Sequence, residues 1–168
     1  PSIANGQFIE RWFLCDQMKA VDYMLTRPEI DPARIGITGN SGGGTATFYL
    51  ACLDERITAA APSCSICSFE GSIAAMPHCL CNHIPGIRKY FEMGDLAGLI
   101  APRILVVAAG EKDDIFPIEG AKQMVENGKK AYAVFGAEDK LVHVIGAGGH
   151  RFYADDAWPH INAAIKNL

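Results

Sequence analysis

Apolar residues recur at helical spacing from Gln7 to Leu25, where Leu14, Met18, Val21 and Leu25 share one face and Trp12 and Phe13 broaden it. The spacing predicts an amphipathic helix, ended by Pro28 and the Asp31-Pro32 pair, because a residue before proline is driven out of helical geometry. The period then changes. Arg34 to Thr38 is a short β-branched run that reads as a strand, and Thr45 to Leu53 follows as a helix burying Ala46, Leu50 and Leu53. Ile57 to Ala61 reads as the next strand, cut by Pro62.

From Ser63 to Ile100 the pattern loosens, with Pro77, Pro85, Gly86 and Gly94 interrupting short helical pieces. So long an excursion between strands is the usual place for substrate-shaping elements. Ile104 to Ala109 is a continuous apolar run between Pro102 and Gly110, the mark of a buried strand. Pro117 to Asn127 reads as a helix with Gly128 at its C-cap, and Lys129 to Lys140 leans helical. Leu141 to Ile145 makes a fourth strand. A last helix carries the stripe Trp158, Ile161, Ile165 and Leu168.

Apolar strands alternating with amphipathic helices predict an α/β domain over residues 1–168, a parallel sheet covered by helices on both faces. No repeat, low-complexity tract or linker divides it. The net charge of -4 gives no electrostatic footprint for nucleic acid, and no apolar run approaches the roughly 20 residues of a membrane-spanning helix. Cys15, Cys52, Cys64, Cys67, Cys79 and Cys81 fit reduced thiols of an intracellular, cytoplasmic protein better than a disulfide frame.

The chemistry is concentrated at Gly39-Asn40-Ser41-Gly42-Gly43, a G-x-S-x-G pattern between a strand and a helix. A serine at a strained strand-to-helix turn projects its hydroxyl into a cleft, and side chains at Gly39 or Gly43 would crowd the neighbouring strand and helix. The helix beginning at Gly42 aims unpaired N–H groups at the same spot, with Gly42 N–H as a candidate oxyanion donor. A Gly-rich turn before a helix also suits a phosphate, but the Walker-type lysine and a G-x-G-x-x-G are both absent.

A nucleophilic serine needs a base, and the base needs an acid behind it. In a parallel sheet the ligand crevice lies beyond the carboxyl ends of the strands. Two loops leave that edge with suitable residues. One is Gly110-Glu111-Lys112-Asp113-Asp114, which offers either aspartate. The other is Gly146-Ala147-Gly148-Gly149-His150. His143 falls inside a strand, His160 in the last helix, and His78 and His83 in the excursion. The order Ser, Asp, His is that of the α/β-hydrolases.

The segment Asp31 to Gly43 resembles the elbow region of α/β-hydrolases near the acetyl xylan esterase, dienelactone hydrolase and prolyl oligopeptidase groups. Gly149-His150-Arg151-Phe152 with Trp158, and Gly110-Glu111-Lys112-Asp113 before Phe116-Pro117, are similar to the acetyl xylan esterase-like branch. The resemblance favours Asp113 over Asp114, since the acid stands four residues before that proline. It implies a serine esterase with Ser41, His150 and Asp113 as triad, no cofactor, and an ester substrate that is a small molecule or carbohydrate, most simply a carbohydrate acetate. A peptidase or lactone hydrolase of the same fold is the alternative, and a non-catalytic interaction module the rival from another class.

The resemblance also exposes a gap. The fold has about eight strands with the elbow strand fifth, and only the elbow strand and three later ones are present. No H-G-G-type segment precedes Gly39 to give a second oxyanion donor. The chain is therefore expected to be the C-terminal part of a larger hydrolase, or else to self-associate along the elbow strand. A zinc set drawn from Cys64-x-x-Cys67 and His78-Cys79-x-Cys81-x-His83 has poor spacing, and no metal is expected.

Overall fold

The computed structural model describes residues 5–166. Helix α1 (Ile9–Met24) leads into strand β1 (Gly36–Asn40), helix α2 (Gly42–Leu53) and strand β2 (Ala59–Ser63). The irregular excursion follows, with 3₁₀ turns at Leu80–Asn82, Ile87–Lys89 and Ala97–Leu99 around a one-turn helix, α3 (Met93–Leu96). Strand β3 (Ile104–Gly110), helix α4 (Ile118–Val134), strand β4 (Leu141–Gly146) and helix α5 (Ala154–Lys166) complete the chain.

The four strands are parallel and stand in sequence order, β1-β2-β3-β4. Both faces of the sheet are covered, as the apolar strand runs require. On one face α1, α2, α4 and the excursion build the larger core around Leu14, Phe48, Leu50, Met93, Met124 and Tyr132. On the other, α5 covers a smaller core with Tyr153, Ala157 and Ile161. β3 serves both: Leu105 and Val107 point into the first core, Val106 and Ala108 into the second. Arg103, just before β3, ties the far edge together by donating to the carbonyls of Ala51, Asp54, Ile57, Leu99 and Ile100 at 2.7–3.1 Å.

Several expected boundaries move, each for a physical reason. β2 runs through Pro62, which stands in register with Gly39 of β1. Pairing with β3 skips Ala61 and Pro62 and resumes at Ser63, so the missing proline N–H falls where the ladder is already open. α4 passes straight through Gly128. A Cβ there would stand 2.9 Å from Leu141 Cδ1 and 3.1 Å from Ala97 Cβ, so this glycine permits close packing and is no cap. The helix stops instead at Phe135 and Gly136, the latter with φ +60°.

The buried stripes are narrower than periodicity suggested. Trp12, Phe13, Leu25, Leu53 and Trp158 are all exposed, while Leu14, Val21, Ala157 and Ile161 are covered. Leu168 lies outside the described residues. Among those residues no helix is long and apolar enough to cross a membrane.

Candidate active site

β1 delivers Ser41 at the carboxyl edge of the sheet with φ 56° and ψ -122°, a conformation that L-residues rarely adopt. Ser41 N–H donates to Ser63 O at 2.9 Å, and the first helical bond of α2 is Thr45 N–H to Ser41 O. The N–H groups of Gly42, Gly43 and Gly44 thus precede the helical ladder and point at the turn. The glycines divide their work differently from expectation. A Cβ at Gly39 would collide with the Gly43 carbonyl, and one at Gly44 would meet Ser65 Oγ at 2.5 Å and Ser63 O at 2.6 Å. At Gly43 a Cβ would find nothing within 4 Å. Gly44, not Gly43, is the glycine that close approach requires.

The other two residues arrive on loops after β3 and β4. These loops extend the pairing of their strands: Glu111 N–H donates to Gly146 O at 2.8 Å and Lys112 N–H to Gly148 O at 2.9 Å. Tyr153 Oη–H donates to Gly149 O at 2.6 Å and pins the turn just before His150. The result brings His150 Nδ1 to 2.9 Å from Asp113 Oδ2. The aspartate's other oxygen accepts the N–H groups of Ile115 at 2.9 Å and Phe116 at 3.0 Å. Burial pushes the Asp113 carboxyl up, but the Phe116 N–H, His150, the Ile115 N–H and the Cys64 thiol together hold it below the ordinary carboxylate value. Asp114 is exposed and outside this pair.

No hydrogen bond joins Ser41 Oγ to His150 among the described residues. Ser63 links the two segments. Ser63, which accepts from Ser41 N–H, directs its own Oγ to Arg151 O at 3.4 Å, next to His150. Nucleophile–base hydrogen bonds are often long without substrate and tighten in the reacting complex.

Two neighbours lie outside the expected triad. Cys64, with φ 47°, lies beside Asp113 and His150, its Sγ 3.2 Å from Arg151 O. It is the first residue beyond β2 at the same sheet edge, so the edge rule that led to His150 and to the Asp113-Asp114 pair would have found it. Phe116 stacks on the His150 ring at 5.9 Å between centroids and takes the His78 ring edge-on at 5.1 Å. His78 is further held by Ser72 Oγ at 3.0 Å, and burial, then His83, holds its ring below the ordinary histidine value. His143 is half-buried in β4, while His83 and His160 are exposed.

The six cysteines are unpaired. The suspected zinc spacing does not gather: the three-residue group of possible metal ligands among the described residues is Cys64, Asp113 and His150. Cys79 and Cys81 do meet each other. Beyond them the excursion opens a cavity of about 650 Å³, lined by Phe69, Ile73, Asn82, Ile84 and Ile87 with Arg88 also on its wall.

Residues 10–164 match the model of the prolyl oligopeptidase family. The chain belongs to that family. This is one of the three α/β-hydrolase groups that the elbow region resembles. Two Bacillus subtilis (strain 168) proteins are similar to it: YtaP, named as a hydrolase, is 30% identical over 151 residues, and YuxL, named as an uncharacterized peptidase, is 33% identical over 139. The aligned parts are 88% and 76% of this chain. They are 50% of YtaP and 20% of YuxL, so the chain spans about half the length of the first relative and a fifth of the second. Among solved structures, a glucuronoyl esterase of carbohydrate esterase family 15 from Caldicellulosiruptor kristjansonii superposes with a TM-score of 0.80 at 19% identity. It covers 96% of this chain and 51% of its own. The methylesterase BT1017 gives a TM-score of 0.71 at 26% identity, covering 92% and 34%. The prolyl oligopeptidase-family chain thus has the α/β-hydrolase architecture of serine esterases.

Proposed function

We propose that this prolyl oligopeptidase-family chain carries the Ser-His-Asp machinery of a carboxylic ester hydrolase. The observation that carries the reading is the 2.9 Å pair of His150 Nδ1 and Asp113 Oδ2, at the sheet edge that also presents a serine in a positive-φ elbow. Asp113, kept ionised by its hydrogen bonds, accepts a hydrogen bond from Nδ1–H and fixes the tautomer that leaves Nε2 free. Nε2 takes the proton of Ser41 Oγ as it attacks the carbonyl carbon, then returns it to the leaving alcohol. Gly42 N–H donates to the oxyanion. Water repeats the cycle on the acyl-enzyme. No step calls for a metal or cofactor.

An ester carried on a carbohydrate is the favoured substrate, with acetate as the expected acyl group. Support comes from neighbours named as glucuronoyl esterases and a methylesterase, which also call for uronic acid methyl esters in any test panel. The name of YuxL keeps aminoacyl amides in the panel as the second reading. A fluorophosphonate probe tests the first step directly. Labelling of the purified protein that disappears in Ser41→Ala is expected; a wild type that stays unlabelled overturns the reading. Faster turnover of aminoacyl amides than of any sugar ester would move the assignment to the peptidases.

A further inference from the structure

Cys79-Leu80-Cys81 in the excursion lies against the front of α2. Its two sulfurs are 3.1 Å apart, about 1 Å beyond a disulfide bond. Cys79 is exposed and Cys81 buried. Burial, together with the adjoining Cys79, pushes the Cys81 thiol up. An exposed thiol that meets the reagent and a covered one that resolves it is the arrangement thiol–disulfide exchange requires.

The pair also touches the elbow. Asn82 Nδ2 reaches Cys79 Sγ at 3.3 Å and Cys81 Sγ at 3.7 Å, and its Oδ1 accepts from Thr45 Oγ1 at 2.9 Å. Thr45 N–H in turn donates to Ser41 O at 2.9 Å. A Cβ on Gly42 would stand 3.9 Å from Cys81 Sγ, so Cys81 walls the residue that follows the serine.

We propose that Cys79 and Cys81 form a reversible exchange site for small-molecule disulfides, and that closing their bond slows the Ser41 elbow. The Cys79 thiolate attacks a disulfide R–S–S–R. One R–S⁻ leaves and takes up a proton, and Cys79 is left as a mixed disulfide. Cys81 gives up its proton and attacks the Cys79 sulfur, expelling the second R–S⁻, which is protonated in turn. Two protein thiols are oxidised and one small disulfide is reduced to two thiols. Closure draws the sulfurs together by about 1 Å, lifts Cys81 off Gly42 and withdraws both thiols from Asn82 Nδ2. The exchange chemistry stands alone; its effect on the elbow rests on the esterase reading.

The test uses purified protein in a Cys15→Ser background, which removes the other exposed thiol, with oxidised glutathione as the probe. The expected result is a protein lighter by two hydrogens, restored by dithiothreitol. Cys79→Ser should show no such change, and Cys81→Ser should carry one glutathionyl group on Cys79. Fluorophosphonate labelling of the closed form should be slower by about threefold to about a hundredfold, short of the ~10²–10³ for losing a whole oxyanion donor. No mass change, or the same change in Cys79→Ser, overturns the exchange site. A closed pair with unchanged labelling overturns the coupling. Failure of the reduced wild type to label sinks the esterase reading, and the coupling with it, while the mass measurement still decides the exchange site.

Discussion

The two ends of the sheet hold their candidate residues by different means. At the β3–β4 end, backbone hydrogen bonds continue past the strands, from Glu111 to Gly146 and from Lys112 to Gly148, so Asp113 and His150 meet on what amounts to an extended ladder. At the β1 end the serine is held by shape. Its positive φ is kept by glycines that let the strand, α2 and Ser65 approach more closely than any side chain would allow. β1 pairs with β2 alone among the described residues and is half-buried or exposed along its length, whereas β3 is buried from Leu105 onward. Hydrogen bonds fix the acid–base pair, whereas at the nucleophile close packing of glycines is added to the bond from Ser41 N–H to Ser63 O.

Substitutions at the two ends should therefore fail differently. Ser41→Ala should cost at least about 10⁴ in ester turnover while thermal unfolding stays near wild type, because the hydroxyl contributes no hydrogen bond to the fold. Residual turnover above a tenth would remove Ser41 from its role. At the other end, Asp113→Asn should cost about 10⁴, since the amide favours the wrong imidazole tautomer, yet keeps an oxygen for Ile115 and Phe116 N–H. Asp114→Asn should stay within about twofold, as exposed substitutions usually do. A larger loss at Asp114 would reverse the assignment.

The steric half is probed by paired glycine substitutions. Gly44→Ala should destabilise by about 1–3 kcal/mol in urea unfolding, the usual cost of overpacking, and Gly43→Ala by less than about 0.5 kcal/mol. Equal effects would mean that the elbow is not set by that contact.

A smaller, pH-dependent effect should come from Glu10 on α1. It is fully buried, with neither oxygen hydrogen-bonded among the described residues, and burial pushes its carboxyl up to about 7. The folded chain keeps a proton that the unfolded chain releases above its ordinary value of 4.5, so stability falls as pH rises across that window. Glu10→Gln should match wild type at about pH 4 and exceed it by about 3 kcal/mol at about pH 8. A pH-independent difference would show that Glu10 does not titrate there.

The elbow, the Asp113-Asp114 loop and His150 were legible because a parallel sheet sends every strand's carboxyl end to one edge, and short-range signals mark those ends; the choice of Asp113 came from the family resemblance. Gly128 was misread because a glycine after an apolar stripe looks the same whether it caps a helix or lets Leu141 approach. Trp12, Phe13 and Trp158 were placed inside because periodicity locates the centre of a covered face and says nothing of its width. The contacts of the excursion, such as Asn82 with Thr45 or His78 with Phe116, depend on tertiary packing that no local pattern encodes.

The extended ladder between the β3 and β4 loops has a consequence for how such a site can be remodelled. The bonds that set the distance from Asp113 to His150 run largely through main-chain atoms, which exist whatever the side chains at 111, 112 and 147 happen to be. An engineer can therefore vary the chemistry of those rim positions, grafting charge or bulk to meet a new leaving group, without retuning the proton relay beneath them. The same freedom is denied at Gly110 and Gly146, where an added methyl would strike the Gly149 carbonyl or the Tyr153 ring.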